Sequence, residues 1–198
     1  VSEDTQFTME ALRQMGVQIE VNHDGVSVAG KGGRLEPCEA PIYLGNSGTS
    51  MRLLTGVAAL GTGTYTLTGD ARMQMRPIKD LLDALQQMGI KARSVKSTGC
   101  PPVEITGAVI NAEQVDINCQ NSSQYLSALL LMAPNTSRGL EIRIAGGPPV
   151  SKPYVDLTVA LMETFGIRLE REDYKKLKVP GGQRYLAGKY IVEADCSQ

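Results

Sequence analysis

Three short stretches set hydroxyls, amides and glycine at the start of apolar-periodic runs: Asn46-Ser47-Gly48-Thr49, Ser122-Ser123-Gln124, and Ser151-Lys152-Pro153-Tyr154. The first lies in "LGNSGTSMRLLTG", a small-residue turn running directly into a helical pattern. A helix start leaves about four backbone N–H groups unpaired and carries roughly half a positive charge, and glycines such as Gly45 and Gly48 let an anion approach that backbone closely. Phosphate or carboxylate is therefore the first ligand to expect. The stretch is not a Walker A loop, because Thr49 stands where that motif needs lysine, and it does not fit G-x-G-x-x-G. The plain alternative is a well-capped helix, with Asn46 or Ser47 as N-cap and nothing bound.

Arg72 and Arg76, in "GDARMQMRP", add guanidinium groups suited to bidentate pairing with an oxyanion. Their bland role is to pair with Asp70 or Asp80. General acid–base chemistry is not evident. His23, the one histidine, stands in the hairpin signal "VNHDGVSV" and is expected to be exposed and idle; Asp70 and Lys152 are the only carboxylate and lysine in a turn beside these helix starts, and Asp70 is expected to serve its loop.

The elements that position these residues repeat. "ALRQMGVQIEV", "ALQQMGIKARSV" and "LMETFGIRLER" each end an amphipathic helix at a glycine (Gly16, Gly89, Gly166) and pass into a strand beginning at Val17, Ile90 or Ile167, a period of roughly 75 residues. Each glycine suits the C′ position, where a left-handed residue closes a helix. Pro77 and Pro153 are expected at first helical positions, each after a strand ending in glycine, Gly69 or Gly146. A further helix in each copy starts at "NSGTS", after "APIYL", or at "NSSQY", after "VDINC". Read from the residues, the unit runs strand, helix, strand, strand, helix, strand. The helix after Ser122 is apolar nearly all round and is expected to be buried on every side, so helices should form the centre. A third junction begins at "YIVEADCSQ", and the first copy opens with its helix under way, so the chain is expected to be part of a longer polypeptide.

Composition bounds the rest. The 198 residues are 42% hydrophobic, enough for a real core, and 20 basic against 21 acidic residues leave a net charge of −1. No basic run suggests nucleic acid, no apolar run is long enough to cross a membrane, and no signal peptide opens the chain. Cys38, Cys100, Cys119 and Cys196 form no C-x-x-C pair, which argues against zinc and for reduced, idle thiols in a cytoplasmic protein.

"LGNSGTSMRLLTG", "GDARMQMRPIKDLLDAL", "NSSQYLSALLLMAP", "SKPYVDLTVALMETFGI" and "VEADCSQ" together resemble, in order and over almost the whole chain, the N-terminal domain of the 5-enolpyruvylshikimate-3-phosphate synthase (3-phosphoshikimate 1-carboxyvinyltransferase) family. The resemblance implies an α/β (α+β) enolpyruvyl transferase domain of repeated βαβαββ units with helices packed at the centre. Residues 1–198 would form one N-terminal-type domain, with the second domain and the extreme N-terminal segment absent and the active site in the cleft between domains. The family moves the enolpyruvyl group of phosphoenolpyruvate to the 5-hydroxyl of shikimate 3-phosphate, through a tetrahedral intermediate that releases phosphate, without metal or organic cofactor.

By the same resemblance, Ser122, Ser123, Gln124, Ser151 and Tyr154 contact shikimate 3-phosphate. Asn46, Gly48, Thr49, Arg72 and Gln124 contact phosphoenolpyruvate, whose site the inhibitor glyphosate also occupies. No catalytic residue is assigned within this chain. The family's Ser-Lys-Ser segment and the second domain's aspartate, glutamate, arginines and lysine are not in it, so the chain alone is expected to be inactive. Leu53 stands where many members have proline. The rival readings are a UDP-N-acetylglucosamine enolpyruvyl transferase-like domain, whose loop cysteine "GDARMQMRP" lacks, and a non-catalytic phosphate-binding domain of the same fold.

Overall fold

The computed structural model describes residues 2–192; Cys196, the "VEADCSQ" stretch beyond Val192 and most of the expected third junction lie outside the described residues. Helix α1 (Glu3–Gln14) leads into an antiparallel hairpin of β1 (Gln18–Asn22) and β2 (Gly25–Ala29). Two copies of one unit follow. The first is β3 (Ile42–Tyr43), α2 (Gly48–Ala58), β4 (Thr64–Thr68), α3 (Lys79–Gln87), β5 (Lys91–Ser94) and β6 (Val103–Thr106). The second is β7 (Gln114–Asn118), α4 (Gln124–Met132), β8 (Gly139–Ala145), α5 (Lys152–Thr164), β9 (Glu170–Glu172) and β10 (Lys176–Pro180).

Each unit is thus βαβαββ, as the family resemblance implies, which corrects the order read from the residue pattern alone. The helix in "RPIKDLLDAL" follows β4 before any further strand, and the two strands that close the unit pair with each other after it. Both four-stranded sheets place their first, second, fourth and third strands side by side, with the first two parallel and the rest antiparallel. A parallel neighbour requires a crossover, and α2 and α4 supply it. Registers correspond: Leu67 faces Val103 in one sheet and Ile142 faces Leu177 in the other, all four buried. Alternation in Gln114–Asn118 and Lys176–Pro180 turns Val115, Ile117, Leu177 and Val179 inward and leaves their neighbours wet.

The helix ends match the sequence signal closely. Gly16, Gly89 and Gly166 have φ of 82°, 82° and 83°. In each, the glycine N–H and the next N–H fold back onto carbonyls of the last turn, as in Gly16 to Arg13 and Val17 to Leu12, which satisfies groups the helix leaves open. Pro77 behaves differently from expectation. Arg76 before it is extended, as residues preceding proline are, and Ile78 is a buried, non-helical N-cap, so α3 begins only at Lys79. Pro153 does lie in the first turn of α5.

Helices occupy the centre. Tyr125, Leu126, Leu129 and Leu130 of α4 are fully buried, each worth about 1.5–3 kcal/mol where the side chain is aliphatic or aromatic. Helix α2 lies against α4 so closely that a β-carbon on Gly56 would stand 2.8 Å from the Ala128 carbonyl oxygen. Within the hairpin, His23 and Asp24 form the two-residue turn and His23 is exposed, as expected. No helix of the described residues is long and apolar enough to cross a membrane.

Candidate anion site at the helix starts

Helices α2, α4 and α5 begin without a side-chain cap. Their N-caps are Ser47, Ser123 and Ser151, and none of the three hydroxyls accepts from the following backbone, whereas Ser2 caps α1 by accepting from Thr5 N. The capped-helix expectation for α2 is therefore met in position only. Ser47 Oγ lies 2.6 Å from Ser50 Oγ, which in turn lies 2.6 Å from Thr8 Oγ1, so these hydroxyls join α1 to α2. Asn46 Oδ1 is buried with no hydrogen-bond partner in the protein. Ser151 sits at φ 52° and ψ 51°, a left-handed conformation that an L-residue adopts only against strain.

Gln124, the first residue of α4, reaches across to α2. Its Nε2 donates to Thr49 Oγ1 at 2.8 Å, and its Oε1 accepts from Arg52 Nη1 at 2.7 Å. Arg52 also lies over the Tyr125 ring, 5.7 Å from its centroid, and the Tyr125 hydroxyl donates to the Pro77 carbonyl at 2.7 Å. Burial pushes that phenol's pKa up, with Arg52 pulling the other way, so the hydroxyl stays protonated as a donor at neutral pH. The arginine loop is thereby fixed to α4.

That loop is held at its other end by Asp70. Its Oδ1 accepts from Met73 N at 2.8 Å and its N–H donates to the Gly45 carbonyl at 3.0 Å, so Asp70 serves the loop as expected. The arginines do not pair with it. Among the described residues neither Arg72 nor Arg76 forms an ion pair, and Asp80 accepts instead from Asn121 Nδ2 at 3.1 Å. Arg76 leans over the start of α2: a β-carbon on Gly48 would lie 2.5 Å from Arg76 Nη1 and 3.2 Å from Arg52 Nη1. Unpaired guanidinium groups against a helix start repel each other and the helix dipole, and an oxyanion between them removes that conflict.

Of the residues singled out in the sequence, the structure brings Gly48, Thr49 and Gln124 together, with Ser122 adjacent through its acceptance of Gln124 N at 3.2 Å. Ser123 is the buried N-cap of α4. Ser151 and Tyr154 begin α5, which is tied to α4 by Ser127 and Thr158 hydroxyls 2.8 Å apart; they face solvent and form no hydrogen bond to Thr49 or Gln124. Arg72 is exposed on the same loop as Arg76. Lys152 turns away, its Nζ 4.8 Å from the Tyr174 ring centroid beside the Asp156–Arg171 pair. Arg52 was the residue without a sequence signal of its own. It lies one helical turn after Gly48, a spacing that puts both on one face. Among the described residues no group of three His, Cys, Asp or Glu could hold a metal.

Known proteins resemble this chain in sequence and in fold. A family model described as EPSP synthase (3-phosphoshikimate 1-carboxyvinyltransferase) matches residues 1–198. The chain is 43% identical over 200 residues to 3-phosphoshikimate 1-carboxyvinyltransferase of Shewanella denitrificans, covering 99% of this chain and 46% of that protein. It is 40% identical to the Shewanella oneidensis enzyme, with 99% and 47% covered. The chain thus spans about half the length of the curated relatives it matches. Among solved structures, EPSP synthase from Acinetobacter baumannii superposes with a TM-score of 0.80 at 31% identity, covering 94% of this chain and 41% of that one. The enolpyruvyl transferase NikO from Streptomyces tendae shares the fold at 18% identity, TM-score 0.56, covering 89% of this chain and 40% of that one. The chain belongs to the EPSP synthase (3-phosphoshikimate 1-carboxyvinyltransferase) family.

Proposed function

We propose that this chain supplies part of the substrate site of an enzyme that transfers the enolpyruvyl group of phosphoenolpyruvate to the 5-hydroxyl of shikimate 3-phosphate, in aromatic amino acid biosynthesis in the cytoplasm. The observation that carries the reading is the convergence of Gly48, Thr49, Gln124, Arg52 and Arg76 on one helix start with no carboxylate among them. In this reading Asn46, Gly48, Thr49, Arg72 and Gln124 receive phosphoenolpyruvate. Ser122, Ser123, Gln124, Ser151 and Tyr154 receive shikimate 3-phosphate, so Gln124 touches both substrates and sets their separation. The hydroxyl oxygen gives up its proton and bonds to C2 of phosphoenolpyruvate while C3 takes a proton and becomes a methyl; the tetrahedral intermediate then loses phosphate from C2 and one proton from that methyl, which restores the C2–C3 double bond. Residues of this chain bind, orient and neutralise charge, and the proton-transfer groups belong to a second domain of the same polypeptide.

Two observations support the shikimate enzyme over the UDP-N-acetylglucosamine enzyme: the loop from Gly69 to Pro77 contains no cysteine, and the family match spans the chain. The test is phosphate release from the two substrates together, by the full-length protein and by residues 1–198 alone. Turnover is expected only from the full-length protein. Transfer by the 198-residue chain would overturn the division of labour, and a full-length protein silent with both substrates would leave the non-catalytic phosphate-binding reading.

A further inference from the structure

The line Arg52–Gln124–Thr49 has a chemical direction, and that direction decides what the site can bind. A guanidinium has donors only, so the Gln124 atom 2.7 Å from Arg52 Nη1 must be the carbonyl oxygen. The amide nitrogen is then forced to the other side, where it donates one proton to Thr49 Oγ1 at 2.8 Å and keeps a second. Thr49 Oγ1 is an acceptor in that bond, so its own proton points elsewhere, and no described residue accepts it. Reversing the amide would set N–H against N–H at Arg52, a conflict no rotation of Thr49 relieves.

We propose that Arg52 is a positioning residue which, through Gln124, fixes both the free Gln124 N–H and the Thr49 hydroxyl as donors toward an oxyanion at the start of α2. The inference rests on the substrate reading above for the identity of that oxyanion, the phosphate or carboxylate of phosphoenolpyruvate. Arg52 holds its place through its stacking on Tyr125, which is itself anchored to the Pro77 carbonyl, so the orientation exists before any ligand arrives. A neutral ligand presenting a donor at this point meets two donors and is rejected.

The test has two arms. In residues 1–198 without ligand, the Gln124 side-chain amide gives two widely separated, slowly exchanging proton signals, identified by their loss in Gln124→Met. Arg52→Met is expected to merge and broaden them, and Arg52→Lys, which keeps one donor, to restore them. In the full-length enzyme, Arg52→Met raises the KM for phosphoenolpyruvate about tenfold or more, as expected for loss of hydrogen bonds to a charged group, and by a larger factor than it raises the KM for shikimate 3-phosphate, which Gln124 also contacts in the reading above. Gln124→Glu keeps a partner for Arg52 yet turns the Thr49 proton inward, so it is expected to weaken phosphoenolpyruvate more than Gln124→Met does. Unchanged amide signals in Arg52→Met, or tight phosphoenolpyruvate binding in Gln124→Glu, overturn the proposal. A full-length parent without transferase activity would refute the substrate reading, while the amide signals still decide the positioning role.

Discussion

Gly48 and Arg76 share one space: a β-carbon on the glycine would stand 2.5 Å from the arginine Nη1. Gly48 does not have a positive φ, so its role is proximity and not backbone conformation. Arg76 Nη1 is the far end of a flexible side chain and can move aside. Gly48→Ala is therefore expected to fold, with a melting temperature equal to or above the parent's, since alanine is favoured over glycine by up to about 1 kcal/mol in helices. In the full-length enzyme the same methyl should raise the KM for phosphoenolpyruvate and weaken glyphosate, leaving shikimate 3-phosphate nearly unaffected. Thermal melts and inhibition curves separate the two effects.

Gly56 answers to a different neighbour. Its missing β-carbon would meet backbone, the Ala128 carbonyl oxygen at 2.8 Å, which cannot swing away. Gly56→Ala is expected to push α2 from α4 and cost about 1–3 kcal/mol despite the better helix propensity. Urea unfolding measures it, and the opposite signs at residues 48 and 56 are the informative outcome.

Arg76→Ala is expected to weaken phosphoenolpyruvate by about 1.5–3 kcal/mol, the range for a hydrogen bond to a charged group. Affinity should fall with added salt more steeply in the parent than in the mutant, because Arg76 is only half-buried and its charge contact is screened. Isothermal titration at two ionic strengths checks both.

Cys119 is fully buried beneath α4, and burial pushes its thiol pKa up to about 12. A raised thiol pKa leaves less thiolate: at pH 8 the reactive fraction is roughly one in ten thousand. Iodoacetamide at that pH is expected to spare Cys119 in the folded protein and to modify it after unfolding, which peptide mass mapping shows directly.

The hairpin carries a prediction from the repeat itself. In each complete unit the fourth strand, β6 or β10, pairs with the second, β4 or β8, while β2 has a partner only in β1 among the described residues. Val26 and Val28 on β2 are half-exposed. In the full-length protein a further strand is expected on that edge, so the Gly25–Ala29 amides that β1 does not bond should exchange with deuterium more slowly there than in residues 1–198.

Much of this was legible in the residues because it rests on local chemistry. Gly16, Gly89 and Gly166 mark helix ends, since a left-handed residue is needed there, and the unbroken apolar run after Gln124 marks a helix buried on every side, packed between α2 and α5. The order of elements within a unit was not, because the helix in "RPIKDLLDAL" and the strands around it carry no sign of which pairs with which; that follows from long-range register. The site shows the same division. Gly48 and Gln124 stand at recognisable helix starts, whereas Arg52 reads as an ordinary surface residue of α2 until α4 delivers Gln124 and Tyr125 to it. Lys152 looked like a site lysine and instead faces Tyr174, a residue beyond the end of its helix.

That the starts of α2, α4 and α5 bind the two anionic substrates is the central claim, and a backbone-amide titration of residues 1–198 with shikimate 3-phosphate, followed by phosphoenolpyruvate, tests it most directly. Saturable shifts are expected at residues 122–124 and 151–154 with the first ligand and at 46–49, 72 and 76 with the second, while the groove at the opposite pole, around Gly61, Gly107 and Asn135, stays still. Largest shifts at that far groove, or none at the helix starts at saturating ligand, would contradict the account.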